Sequence, residues 1–313
     1  MTDRPMFVLG TMLFGNTQDE QLSFELLDRF VDAGGTVLDT ADCYAFWLHP
    51  DGHGGTSEEL LGRWLAARPG MRDRVRISTK VGAEPVPPGE WPDNREGLSP
   101  TAIKAGIEGS LRRLGVDHVD VFWTHVDDRS VPLVDVVGAL GELVAAGTVG
   151  QLGVSNQPSW RVEQARQLAA ANGHAGYTAV QLAHTYLQRR PVAYVDGDFD
   201  QFSWATHHTV DHVRSEGLEL WAYTPLLRGG YTRPDRMPAE FDHPNSTARL
   251  AALDEVAAEL GATRNQVVLA WLAADPTVRP IVGVSSAAQL DEAAAGMRLE
   301  LAPEQLARLD AAG

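Results

Sequence analysis

The chain has 313 residues, 26 of them Lys or Arg and 42 Asp or Glu, for a formal net charge of −16. With 44% hydrophobic and 22% charged residues it has the makeup of a folded globular protein, not of a disordered or fibrous one. The acidic balance argues against nucleic acid or an anionic membrane as partner, because both are held by basic faces.

Only two of the basic residues are lysine, Lys80 and Lys104, so each surviving lysine invites a reason. Cys43 is the sole cysteine, which rules out an intrachain disulfide and fits a reducing, cytoplasmic setting. Met1–Gly10 lacks the apolar run of a signal peptide, and no stretch reaches the roughly 18 apolar residues of a membrane span.

In chain order, a cadence of helix, glycine and short apolar run recurs. A first strand is predicted at Phe7–Thr11. The helical spacing of Leu22–Ala33 stops at Gly34-Gly35 and is followed by Thr36-Val37-Leu38-Asp39. Thr56 with Glu59 has the spacing of a capping box, and a strand is predicted at Val75–Lys80. Ser99-Pro100 places an N-cap before an N1 proline, opening a helix that ends at Gly115, before the strand Val119–Trp123.

Leu133–Ala146 stops at Gly147 before Gln151–Val154, and a strand follows at Ala179–Leu182. His207–Glu216 stops at Gly217 before Leu218–Trp221, and the last strand is predicted at Pro280–Val282. Glycine just past a helix end supplies the left-handed cap, and a short apolar run suits a strand buried on both faces. Amphipathic helices are expected over Leu250–Leu260 and Gln289–Ala295.

Eight such units without a linker predict one (β/α)₈ barrel domain spanning residues 1–313. A doubly wound open sheet would bring a G-x-G-x-x-G turn after an early strand, and Gly10–Gly15 has neither that spacing nor a following Lys-Ser/Thr. Long loops follow Tyr44, Val81, Leu187 and Leu226. In a barrel they sit on the C-terminal face, where barrel enzymes build their sites.

Three consecutive predicted strands end in polar residues: Asp39, Lys80 and, beyond Trp123-Thr124, His125. Tyr44 lies on the loop leaving the first of them. Closing the barrel brings a carboxylate, an ammonium, an imidazole and a phenol together. A phenol of pKa near 10 is a poor proton donor, and a neighbouring ammonium lowers that value. Arginine is a poor substitute for such a lysine, since its charge is spread over a planar fork.

These segments resemble the aldo-keto reductases. Asp39-Thr-Ala-Asp-Cys-Tyr44 with Ser57-Glu-Glu-Leu-Leu-Gly62 is similar to the family's first signature. Ile77-Ser-Thr-Lys80-Val-Gly82 and Val119-Asp-Val-Phe-Trp-Thr-His125 are similar to its lysine and histidine strands. The resemblance runs from about Val8 to Leu309, and the short tail after Pro303–Asp310 resembles the branch that includes potassium-channel beta subunits. It implies Asp39, Tyr44, Lys80 and His125 as a catalytic tetrad that reduces an aldehyde or ketone, with Tyr44 as general acid and NADPH, or else NAD, as cofactor. The family also holds cofactor-binding regulatory subunits and dehydrogenases working in the oxidative direction.

The resemblance further implies Ser155, Asn156 and Gln181 at the carboxamide of the cofactor, and Tyr223 on its ring with Thr224, Leu226 and Arg228 nearby. Gly283, Ser285, Gln289 and Glu292 are implied at its adenosine phosphate. Many members carry Arg where Gln289 stands and Asn where Ala293 stands, which weakens the grip on a 2′-phosphate. Arg228, Arg233 and Arg249 are candidates for the missing charge. Phe14, Trp47 and Trp123 are expected to line the substrate mouth, with Phe46, Trp91 and Trp204 as further aromatics. The histidines at 49 and 53, and those at 207, 208 and 212, lack opposed ligating elements, so no metal is expected. The partner is expected to be a small carbonyl compound, and the oligomeric state is open.

Overall fold

The computed structural model describes residues 6–88, 91–191 and 199–313. Part of the long loop after Leu187, residues 192–198, lies outside them. Eight parallel strands close into a barrel in sequence order: β1 (Val8–Gly10), β2 (Val37–Asp39), β3 (Arg76–Val81), β4 (Val119–Thr124), β5 (Val149–Ser155), β6 (Tyr177–Ala183), β7 (Glu219–Tyr223) and β8 (Val278–Gly283). The closure is the pairing of β1 with β8, Leu9 lying opposite Val282. All eight predicted strands are present, and the four units with glycine stops fall where those stops placed them.

Helices α1 (Glu20–Asp32), α2 (Thr56–Ala66), α3 (Pro100–Leu114), α4 (Leu133–Ala145), α5 (Ser159–Ala171) and α6 (His207–Ser215) cross between successive strands. Two, α7 (Pro244–Leu260) and α8 (Arg264–Ala274), lie between β7 and β8, while α9 (Ala287–Arg298) and α10 (Pro303–Ala311) follow β8. The start of α1 shows why such segments are helical: Asp19 accepts the Leu22 N–H at 2.9 Å, and Leu26, Leu27, Phe30 and Val31 form one buried stripe. Each large apolar side chain so buried contributes about 1.5–3 kcal/mol.

Of the two helix starts read in detail, one is as expected and one differs. Ser99 caps α3 as predicted, its hydroxyl accepting from Ala102. At α2, Thr56 is already the first helical residue and Gly55, at φ 102°, occupies the cap position without a side-chain bond, so there is no capping box. In the first turn of α2 Glu58 turns inward, fully buried, to receive Thr79 Oγ1 at 2.5 Å and Arg113 Nε at 2.6 Å. No helix among the described residues is long and apolar enough to cross a membrane.

Strand alternation divides the core in two. Outward side chains such as Leu38, Ile77 and Phe122 pack against the helices, and inward ones fill the barrel. The interior holds Val8, Val121, Trp123, Ala179, Trp221 and Ile281. Trp123 and Trp221 meet edge-on with ring centroids 5.0 Å apart. Room for Trp123 comes from Gly153 on the neighbouring strand, where a Cβ would stand 2.1 Å from the indole. Trp123 therefore does not line the substrate mouth. Period-two alternation turns it into the barrel beside its register partner Lys80, and no part of it is exposed. Phe14 is likewise buried, packed under the β1 loop against the outer core.

Candidate active site

Asp39, the last residue of β2, is the node of the polar layer at the top of the barrel. Its Oδ2 receives Lys80 Nζ at 2.6 Å, and its Oδ1 receives Ser78 Oγ at 2.7 Å and Gln181 Nε2 at 3.3 Å. Trp123 Nε1 donates to Ser78 Oγ at 2.7 Å, so the interior indole anchors the carboxylate through a serine. Lys80 is wholly buried, and its three N–H bonds go to Asp39, the Thr40 carbonyl at 2.6 Å and Tyr44 Oη at 2.8 Å. A buried ammonium is tolerable only when its donors are satisfied and its charge is paired, and both conditions hold here. Lys104, by contrast, sits on α3 with no partner role in this site.

Tyr44 stands on the turn after β2, partly buried. The turn is tight: Tyr44 N–H bonds the Ala41 carbonyl, Ala45 is left-handed at φ 72°, and Gly54 packs so closely that a Cβ there would lie 2.4 Å from Cys43 Cα. Such backbone costs about 1–3 kcal/mol and persists where surrounding structure fixes it. Beneath the turn lie Asp42, Glu58, Glu84 and Glu96 with Arg113. Burial, then the Glu96 and Glu58 carboxylates, push the Asp42 carboxyl well above its usual range.

His125 follows β4. Its main chain is pinned on both sides, N–H to the Val81 carbonyl at 2.8 Å and C=O to Asn156 Nδ2 at 2.9 Å. Its ring lies edge-on to Tyr44 with centroids 5.8 Å apart, and its Nδ1 is 3.5 Å from Cys43 Sγ. Burial and then Lys80 hold the imidazole well below its ordinary 6.5, so it is neutral at physiological pH. The four residues that polar strand ends singled out thus meet in one place.

The Lys80 ammonium is not enough to bring the Tyr44 phenol below its ordinary range. Burial, followed by the Asp39 carboxylate, pushes the Tyr44 hydroxyl well above its ordinary 10.0 despite the Lys80 bond. Desolvation and nearby negative charge outweigh one ammonium whose own charge is largely neutralised by Asp39. The phenol is therefore protonated throughout the neutral range, with the Lys80 ammonium donating to its oxygen.

A cavity of about 810 Å³ opens over Tyr44 and His125. Its walls include Met12, Phe46, Trp47, Pro88 and Trp91, with His49 and Asp51 as polar members. Trp47 is here as expected. Phe46 meets both Trp47 and Trp91, at centroid distances of 5.0 and 5.6 Å, so the aromatic wall is continuous. Trp204 instead packs on Phe241. Met12 was not singled out in the sequence, and His49 and its neighbour Asp51 were weighed only for metal binding; loop position at a barrel's C-terminal face is the signal that points to them. Ser78 was missed too, although it lies two residues before Lys80 and so shares its strand face.

The residues implied for a nicotinamide cofactor divide into two groups. Asn156 is left-handed at φ 55°, receives Tyr223 Oη at 2.9 Å and donates to His125; Gln181 donates to Asp39. Ser155 Oγ donates to the Gln181 carbonyl at 2.8 Å. Thr224, Leu227 and Arg228 are also left-handed, around Leu226, which keeps a strained stretch at the same rim. This end adjoins Asp39 and His125 through the Gln181 and Asn156 bonds. At the other end, nothing but the Gly10 carbonyl, at 3.8 Å, would meet a Cβ on Gly283, and Ser286 caps α9.

Gln289 folds back there, its Oε1 receiving both Ser285 N–H at 2.7 Å and Ser285 Oγ. Glu292 is engaged with α8, receiving Thr263 Oγ1 and Asn265 Nδ2. Arg249 cannot supply a phosphate charge: it is buried, donating to the Tyr186 and Ala312 carbonyls. Arg233 pairs with Asp235, while Arg228 is exposed. Among the described residues one trio of metal-donor type, Asp42, Cys43 and His125, has ligating atoms within 4.8 Å of one another.

Comparison with known proteins agrees with this geometry. The family described as "Aldo/keto reductase family" matches residues 7–313. The chain is 28% identical to an uncharacterized oxidoreductase, YrpG, of Bacillus subtilis (strain 168), covering 96% of this chain and 90% of the relative. It is 29% identical to norsolorinic acid reductase stcV of Emericella nidulans, covering 96% and 76%. It is 30% identical to the NADP(+) aryl-alcohol dehydrogenase of Phanerodontia chrysosporium, covering 95% and 80%. With a barrel closed in this order and a match over nearly its whole length, the chain belongs to the aldo/keto reductase family.

Proposed function

We propose that this protein is a cytoplasmic reductase that converts aldehydes or ketones, aryl carbonyl compounds above all, to alcohols with NADPH. The observation that carries the reading is the Lys80–Tyr44–His125 cluster at the floor of an aromatic-walled cavity. The relatives named for aryl-alcohol and norsolorinic acid chemistry support an aromatic substrate, and the NADP(+) in one of those names supports the cofactor.

When bound, the reduced nicotinamide supplies a hydride to the carbonyl carbon. Ser155, Asn156, Gln181 and Tyr223 would hold its carboxamide and ring, with Thr224, Leu226 and Arg228 at the rim and Gly283, Ser285 and Gln289 toward its phosphates. Tyr44 donates its proton to the carbonyl oxygen. Lys80, held by Asp39, stabilises the phenolate that remains, an interaction stronger in the transition state than in the ground state. The neutral His125 donates a hydrogen bond that orients the carbonyl oxygen. Phe46, Trp47 and Trp91 stack on the ring and exclude water.

The test is reduction of a panel of aryl and aliphatic aldehydes, read as loss of reduced-nicotinamide absorbance. Aryl aldehydes should be preferred. Tyr44→Phe should retain cofactor binding and lose about 10²–10⁴ in kcat, the range of general acid catalysis. Parental rates in that variant would overturn the assignment.

A further inference from the structure

Cys43 has a place in this site that its neighbour's role does not explain. The turn after β2 presents Cys43 and Tyr44 to the same imidazole, Cys43 through Sγ 3.5 Å from Nδ1 and Tyr44 through its ring edge. The thiol is 3% exposed. Among the described residues no other hydrogen bond reaches the His125 ring, so Nε2 is the nitrogen left for the cavity that His125 lines.

A neutral imidazole has one donor and one acceptor nitrogen, and the partner of one decides what the other carries. Both partners here are neutral. Burial and the acids around it push the Cys43 thiol well up, and burial holds the imidazole well down. Two arrangements remain. In one, the thiol donates to Nδ1 and the ring proton sits on Nε2. In the other, Nδ1–H donates to sulfur, a weak acceptor, and an Nε2 lone pair faces the cavity. The first uses the better acceptor. It also leaves Nε2–H free for a carbonyl oxygen, which the second would repel.

We propose that Cys43 is a positioning residue that fixes the His125 tautomer, with its S–H donating to Nδ1 so that Nε2 presents a proton to the substrate oxygen. The catalytic consequence rests on the carbonyl-reductase reading. The tautomer itself does not.

The experiment is long-range ¹H–¹⁵N NMR of histidine-labelled protein, with His125 assigned by comparison with His125→Gln. Wild type should show an unprotonated Nδ1 and a protonated Nε2. Cys43→Ala should shift both nitrogens toward a tautomer mixture, and Cys43→Ser, which keeps a donor, should restore most of the wild-type pattern.

With an aryl aldehyde and NADPH, Cys43→Ala should lose about 2–10-fold in kcat/KM, the worth of one net hydrogen bond, and Cys43→Ser should recover most of it. Protonated Nδ1 in the wild type, or ring shifts unchanged in Cys43→Ala, would overturn the proposal. Absence of turnover on every carbonyl would refute the proposed function, while the NMR result would still decide the tautomer.

Discussion

Replacing Lys80 by Met tests the site where stability and chemistry are most tightly joined. The substitution deletes a buried ammonium that makes three bonds of 2.6–2.8 Å, and leaves Asp39, 2% exposed, with Ser78 and Gln181 on Oδ1 and nothing on Oδ2. Removing one member of a buried pair costs about 3–5 kcal/mol, because the other charge stays behind. At about 2–4 °C per kcal/mol, the melting temperature should fall by about 6–20 °C. Adding Asp39→Asn keeps an acceptor for Ser78 and Gln181 but removes the orphan charge, so the double variant should regain more than half of the loss.

Activity should behave differently. Without Lys80 the Tyr44 phenolate has lost its donor, an effect on the order of 10²–10³ in kcat, and the second substitution cannot restore it. Lys80→Arg should fail as well, since a planar fork of five donors does not fit a site shaped for three. The assays are circular-dichroism melting and loss of reduced-nicotinamide absorbance with an aryl aldehyde. A single variant that melts like wild type, or a Lys80→Arg enzyme of normal rate, would refute the reasoning.

Other outcomes follow from the same geometry. Reduction should be flat between pH 6.5 and 10.0, because His125 takes up a proton only well below the first value and Tyr44 gives one up only well above the second; a pH–rate profile with a limb inside that window would contradict the assignment. Gly153→Ala should destabilise by about 1–3 kcal/mol or more in a denaturant melt, since its Cβ would enter the Trp123 ring, and wild-type stability would show that the barrel interior yields. Gln289→Arg should raise the preference for NADPH over NADH by about 10–100-fold, the worth of a charge-assisted bond to phosphate, and an unchanged ratio of KM values would move the phosphate site elsewhere.

Much of this was legible in the chain. Glycine stops and short, mostly apolar runs marked the strands, because parallel barrel strands are buried on both faces, and β3, Arg76-Ile-Ser-Thr-Lys-Val81, is the polar exception. Asp39, Lys80 and His125 stood out because polar groups at consecutive strand ends must converge when a sheet closes. Trp123 marks a limit of the same reasoning: nearness to a strand end suggests exposure at the mouth, whereas alternation turns it inward at the level of Lys80. Helix α8 was not marked, since its boundary with α7 is one glycine and a Thr263–Gln266 capping box within an Ala-rich run. The Cys43–His125 contact joins residues 82 positions apart, and the direction of the Tyr44 shift depends on burial. Neither is written in local sequence.

The tetrad divides by depth, and the division has consequences for how the site tolerates change. Asp39 and Lys80 belong to the barrel interior: Trp221 packs on Trp123, Trp123 holds Ser78, and Ser78 holds Asp39. That chain of contacts fixes the carboxylate rigidly, and the carboxylate in turn fixes the ammonium. Tyr44 and His125 are only partly buried and reach the cavity from the turn and strand end above. Substitutions in the upper pair can therefore remove activity while the fold persists, whereas substitutions in the lower pair change both. In the proposed reaction, pre-organisation is the reason for building the site this way. A transition-state charge is stabilised best by groups that need not move when it forms, and the barrel's packed interior is the least mobile support available for the one lysine that faces it.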